Sequence, residues 1–250
     1  MNTYAGKRRV LRLAGGDVRD FLQGLVSNDV ARLDRGLVYA AMLTPQGKLI
    51  ADFFLQADGA DVLMDLPAEL AEGLAKRLTM YKLRADVQIK PTELFALRGR
   101  KDMPEGAFPD PRHAALGWRL YSDMPGDAPT TDWEALRVEL NVPASGAELT
   151  PDTFILEAGF DRLNGVDFKK GCFVGQEVTA RMKHKTELRK GFVTVAVDGE
   201  AEPGTEITTD DGKPAGMLHT RAGDRAIAYL RFDRAERPMT AGDATVTWTR

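Results

Sequence analysis

The chain has 250 residues, 43% hydrophobic and 28% charged, an ordinary soluble balance with enough length for one large core or two. Its net charge of −3 argues against bulk attraction to nucleic acid, and no apolar run approaches the roughly 20 residues that cross a bilayer. The single cysteine, Cys172, rules out an internal disulfide framework or a multi-cysteine metal site.

The N-terminus is basic at Lys7, Arg8 and Arg9 with no continuous apolar stretch behind it, which does not read as a secretory signal; a cytoplasmic protein is expected. Val10 to Leu13 alternates weakly and breaks at Gly15-Gly16. Asp17 is placed to cap a short helix over Val18 to Leu22, with Gly24 available to end it. Leu37 to Leu43 and Lys48 to Leu55 read as a hairpin around Thr44-Pro45-Gln46-Gly47. A strand at Val62 to Leu66 follows. Pro67 then opens a helix whose Leu70, Leu74, Leu78 and Tyr81 fall on one face. Strands are expected at Ala85 to Ile89, Leu94 to Leu97 and Leu116 to Tyr121, with a loop from Gly99 to Arg112, and a helix at about Asp132 to Leu140 is stopped by Pro143. This mixed order is α+β in character. From Gly191 onward short strands (Phe192 to Val197, Glu206 to Thr208, Gly216 to His219, Ala226 to Arg231, Ala244 to Trp248) alternate with turn signals and suggest a small barrel or sandwich. Two domains follow, 1–190 and 191–250.

The sharpest feature is Lys169-Lys170-Gly171-Cys172-Phe173-Val174-Gly175-Gln176-Glu177. Two glycines bracket the only thiol and allow a tight turn. Two lysines precede it and a helix is expected from about Gln176. Cations and a helix N-terminus both favour a thiolate, the form that attacks electrophiles and binds metals. A lone cytosolic cysteine is more often a small buried hydrophobe, and charge and turn chemistry alone leave the two readings level. The histidines, His113, His184 and His219, show no metal-ligand spacing with each other or with Cys172, so no resident metal site is expected.

The order of residues Lys170-Gly171-Cys172-Phe173-x-Gly175-Gln176-Glu177 resembles the KGC[YF]xGQE signature of the YgfZ family of aminomethyltransferase-like (GcvT-like) proteins. Gly165-Val166-x-Phe168 and Ala180-Arg181 around it are similar to the family too. So are Phe21-Leu22-Gln23-Gly24 with Asn28-Asp29-Val30, the Gly47-Lys48 turn, and Trp133-x-x-Leu136-x-x-Glu139 closing on Pro143. Two positions depart from it. Lys7-Arg8-Arg9-Val10 stands where some members carry a tryptophan near folate, and Asn141 stands where the glycine of ExGxP is usual, a residue that tolerates left-handed backbone.

The resemblance implies an aminomethyltransferase-like folate-binding body of mixed sheets and helices in two interleaved subdomains, followed by a small C-terminal β-barrel. It also implies a tetrahydrofolate-type ligand, with the cysteine loop near it. Trp133 then offers a flat face for a folate ring, against the alternative of core packing. Glu139 offers a carboxylate for the paired N–H donors of a pterin, against a solvated helix face. Asp29 either orders its loop or faces the cleft. Arg181, Lys183, Lys185, Arg189 and Lys190 suit the glutamate tail of a polyglutamylated folate, with RNA phosphates or a plain solvated helix end as alternatives. The function implied is folate-dependent assembly or repair of iron–sulfur clusters in a subset of enzymes, tRNA-modifying ones among them. Cys172 acts, with Lys170 beside it, on a transient cluster shared with client enzymes or carrier proteins. The competing reading is a folate-dependent one-carbon transferase. A nucleic-acid-binding module is disfavoured by the charge balance.

Overall fold

The computed structural model describes residues 3–4, 7–185 and 187–249. Contacts group them into two compact units, Met1–Thr130 with Phe160–Val178, and Thr131–Gly159 with Thr179–Arg250. No helix among the described residues is long and apolar enough to cross a membrane.

The first unit begins with β1 (Thr3–Tyr4), β2 (Arg8–Ala14) and helix α1 (Val18–Gln23). β3 (Val38–Leu43) and β4 (Leu49–Asp58) form the hairpin expected around Thr44 to Gly47. β5 (Asp61–Pro67), helix α2 (Ala68–Tyr81), β6 (Gln88–Pro91), β7 (Phe95–Gly99), β8 (Phe108–Pro109) and β9 (Trp118–Ser122) complete it. The strands make two sheets, ordered β3-β4-β5-β2-β6 and β1-β7-β9-β8. α2 covers the larger sheet because Ala71, Leu74 and Leu78 recur at helical spacing and are buried against Val62, Met64 and Leu66.

Four local readings of the first unit are corrected. Tyr81, assigned to the buried face of α2, is exposed. Asp17 precedes α1 without capping it: its carboxylate accepts from the backbone N–H of Asp86 at 2.8 Å. That tie, with Asp17 N–H donating to Asp86 O at 3.3 Å, holds Ala85 to Val87 as a turn, so the strand expected from Ala85 starts only at Gln88. Leu116 belongs to a short 3-10 turn, and the strand begins after Gly117.

The second unit contains helix α3 (Trp133–Glu139), capped by the Asp132 carboxylate on Ala135 N–H at 2.9 Å. Helix α4 (Gln176–Lys185) starts in the first unit and ends in the second. β10 (Lys190–Asp198), β11 (Glu206–Thr209), β12 (Pro214–Ala222), β13 (Arg225–Arg231), β14 (Met239–Ala241) and β15 (Ala244–Thr247) close a barrel in the order β10-β13-β12-β11-β14-β15. Its interior is filled by Val195, Val197, Ile207, Leu218, Leu230, Met239 and Val246, the inward positions of alternating strands. β14 lacked a strand signal of its own: three residues gain their pairing only from β11 and β15. Asn141, where glycine is usual, takes a left-handed φ of 51° just past α3, and its side chain donates to Phe192 O at 2.9 Å. The architecture is a mixed α+β body with a C-terminal six-stranded barrel.

Candidate functional site

Cys172 is exposed on the loop that precedes α4. The residues around it are not free to follow. Lys170 folds back so that its ammonium donates to the carbonyls of Gln23 and Val26, the latter at 2.8 Å, at the otherwise open C-terminal end of α1. It also lies 4.9 Å from the centre of the buried Phe173 ring. Gln23 returns the contact: its amide donates to Lys170 O at 3.2 Å and to Asp29 at 3.1 Å, and its oxygen accepts from Val30 N–H at 2.8 Å. Asp29 caps the following 3-10 turn through Ala31 N–H. Of its two readings, the geometry therefore gives it loop ordering. Asp167 closes the other side, ion-paired with Arg32 and accepting from Lys169 N–H at 2.7 Å.

The glycines of the motif do different jobs. Gly171 has a φ of 96° and open space where a Cβ would stand. It turns the chain outward just before the thiol. Gly175 has a φ of 83°, and a Cβ there would meet Thr44 O at 2.6 Å and Leu43 Cβ at 2.9 Å. The motif's second glycine is thus pressed against the β3–β4 hairpin turn. Gln176 accepts from Phe173 N–H at 3.2 Å and opens α4. Glu177 is exposed on its first turn. The thiol is left as the projecting member of a pinned loop. Burial draws the Lys170 ammonium down to about 8, against the pull of Asp29, Asp167 and Cys172.

Trp133, Glu139 and Arg181 lie in the second unit. Trp133 is buried at the start of α3, and Glu139 is exposed at its end. Arg181 is exposed on α4. The unit does contain a cavity of about 280 Å³, lined among others by Glu157, Met182, Leu188, Arg189, Lys190 and Arg231. Glu157 is a buried carboxylate there. It accepts from the Tyr229 hydroxyl at 2.7 Å and lies 3.8 Å from the Lys190 ammonium. Burial and this carboxylate push the Tyr229 hydroxyl well above its usual value, so it stays a donor. The sequence marks Glu157 only faintly, as an acid inside the apolar run Phe154-Ile155-Leu156-Glu157-Ala158.

A second feature that sequence reasoning missed is an ionic layer between the two sheets of the first unit. Asp65, fully buried, accepts from Arg8, from Arg119 at 3.2 Å and from the Tyr121 hydroxyl at 3.2 Å. Asp110 accepts from Arg112 at 2.8 and 3.0 Å and from Arg119 at 3.0 Å. Burial alone would raise Asp110, yet the Arg112 and Arg119 guanidiniums hold it well below the usual carboxylate range. Arg119 and Arg112 also stand over the Phe54 ring, at 3.9 and 4.8 Å from its centre. Among the described residues no group of three or more His, Cys, Asp or Glu is placed to hold a metal ion.

Residues 189–250 match the family model described as the CAF17 C-terminal beta-barrel domain. The mitochondrial iron–sulfur cluster assembly factor IBA57 of Mus musculus is 28% identical over 93% of this chain and 78% of its own length. The Homo sapiens protein of the same name is 26% identical over the same shares. The mitochondrial IBA57 homologue of Neurospora crassa is 31% identical over 75% of this chain and 52% of its own. Among solved structures, the glycine cleavage system aminomethyltransferase T of Bartonella henselae superposes with a TM-score of 0.78. The match covers 98% of this chain and 83% of that one at 14% identity, a likeness of fold.

Proposed function

The chain belongs to the IBA57/CAF17 family, the homologues of YgfZ, and from that premise we propose that it assists assembly or repair of iron–sulfur clusters through Cys172. The observation that carries this reading is the exposed thiol on a loop pinned by Lys170 and Gly175. The thiolate donates a lone pair to an iron of a cluster in transit. One thiol cannot hold a cluster alone, so the remaining ligands come from the client or carrier protein. Lys170 stabilises the charged sulfur, and Gln23 and Asp29 hold the loop that carries it. Clients include tRNA-modifying enzymes, and the setting is a reducing cytoplasm in which a free thiol persists.

The same reading includes a folate. We place its site in the cavity lined by Glu157, a lining that does not include Trp133 or Glu139. A buried carboxylate suits the paired N–H donors of a pterin edge. Met182 and Leu188 supply apolar walls, and Arg189 and Lys190 suit an acidic glutamate tail. Bound folate supplies a reduced ring and a one-carbon carrier. The one-carbon transferase alternative draws on the fold likeness and predicts turnover with a folate substrate that does not need Cys172.

The test is complementation of a deletion strain. Cys172→Ala is expected to lose iron–sulfur enzyme activity and tRNA thiolation while the protein accumulates normally; full activity of that variant would sink the thiol mechanism. Separately, tetrahydrofolate is expected to raise the melting temperature of the wild type by mass action, and not that of Glu157→Gln. An equal rise in both would remove folate from this cavity.

A further inference from the structure

The C-terminal end of α2 is built against its own stability. The helix buries Ala71, Leu74 and Leu78, and its last residues, Met80 and Tyr81, lie outside that buried face. Beyond the cap at Lys82 the chain turns at Leu83, which adopts a φ of 46°. Glycine, and after it asparagine, favours that left-handed position after a helix, because a larger side chain crowds the backbone there. Burial offers no compensation: Leu83 is 86% exposed, and Met80 and Tyr81 beside it are 68% and 36% exposed. Met80 on the last turn of the helix and Leu83 just past its cap are thus exposed within four residues of one another.

The charge along this stretch of chain has one sign. Between Lys76 and Arg84 the sequence carries Lys76, Arg77, Lys82 and Arg84 and no acid. Lys76 is paired with Glu72, and Lys82 donates to Val87 O at 2.8 Å. Arg77 and Arg84 take part in no ion pair among the described residues. Cations at a helix C-terminus complement its dipole, but the dipole does not explain a water-exposed leucine in a crowded conformation.

We infer that this helix end is a docking surface for an acidic segment of a partner protein that seats an apolar side chain on Met80 and Leu83. Two uncommitted arginines match carboxylates, which they bind in fork geometry. A bilayer fits less well, since three apolar side chains are a small anchor and the chain's net charge is negative. The inference is independent of the thiol mechanism.

The probe is a short fluorescein-labelled synthetic peptide with two leucines one helical turn apart in a run of glutamates, beside its lysine counterpart. Anisotropy with the full chain is expected to show the acidic peptide bound about tenfold more tightly than the basic one. Leu83→Gly is the decisive variant. It is expected to raise the melting temperature by relieving the backbone while weakening the peptide about fivefold or more. The double variant Arg77→Glu, Arg84→Glu is expected to weaken it likewise, and Cys172→Ala to leave it unchanged. The inference is overturned if the acidic peptide does not bind, or binds Leu83→Gly as well as wild type. Preferential binding to phosphatidylglycerol vesicles, lost in Leu83→Gly, overturns it in favour of a membrane.

Discussion

Replacing Gly175 by alanine isolates the contact that seats the cysteine loop. The glycine's φ of 83° lies in the left-handed region, where an L-residue with a Cβ gives up about 1–2 kcal/mol. The new methyl would also stand 2.6 Å from Thr44 O, 2.9 Å from Leu43 Cβ and 3.2 Å from Gly47 Cα. Two of these are backbone atoms of a hairpin turn that cannot rotate away, and overpacking of this kind costs about 1–3 kcal/mol. The sum is about 2–5 kcal/mol, or a melting temperature lower by roughly 4–20 °C in a chain of this size. Gly171→Ala is the matched control, because its φ of 96° carries a similar backbone cost while no atom lies within 4 Å of the added carbon. Thermal unfolding followed by circular dichroism, with thiol-reagent titration of Cys172 in the folded state, compares the two. Gly175→Ala should lose at least twice the stability that Gly171→Ala loses and should change the rate at which Cys172 reacts. Equal losses would refute the claim that the motif's second glycine is there for close approach.

Lys170 titrates near 8 when folded, and about 10.4 is usual for an unfolded chain. Between these values the unfolded state binds more protons, so deprotonation of Lys170 adds to native stability as pH rises through that window. Urea midpoints across it should therefore climb for the wild type relative to Lys170→Met, and a pH-independent difference would contradict the half-buried ammonium. Arg119→Met removes the cation shared by Asp65 and Asp110. Leaving both buried carboxylates short of a partner should cost about 3–5 kcal/mol, read as a large drop in the urea midpoint; a near-neutral result would mean that water enters the layer. Cys172→Ala, by contrast, touches an exposed side chain and should stay within about 0.5 kcal/mol of wild type, which calorimetry can check before any cellular defect is assigned to chemistry.

The parts of this molecule legible in its sequence are those whose cause is local. The β3–β4 turn, the helix near Asp132, the spacing of Leu74 and Leu78 in α2 and the strand alternation of the barrel each follow from a few neighbouring residues. The turn that carries Cys172 is marked by Gly171 and Gly175, although they leave the thiol's exposure level with burial. What the sequence hides is the identity of partners far along the chain. Gln23 and Lys170 are 147 positions apart, yet each binds the other's backbone; nothing near either residue announces it. Arg119 reads as one more charge on a strand until Asp65 and Asp110 are brought to it from two directions. Glu157 is hidden for the same reason, since an acid in an apolar run becomes meaningful only when Tyr229 donates to it from 72 positions away.

These long-range ties also explain why the matching segments keep company. The Phe21-Leu22-Gln23-Gly24 stretch supplies the carbonyl that holds Lys170, the Thr44 to Lys48 turn supplies the surface on which Gly175 rests, and Asn28-Asp29 supplies the cap that fixes Gln23. Segments far apart in sequence therefore act as one mount, in which Lys170 and Gly175 are tied down on either side of an exposed sulfur. Such a mount would be superfluous for a cysteine that merely packs.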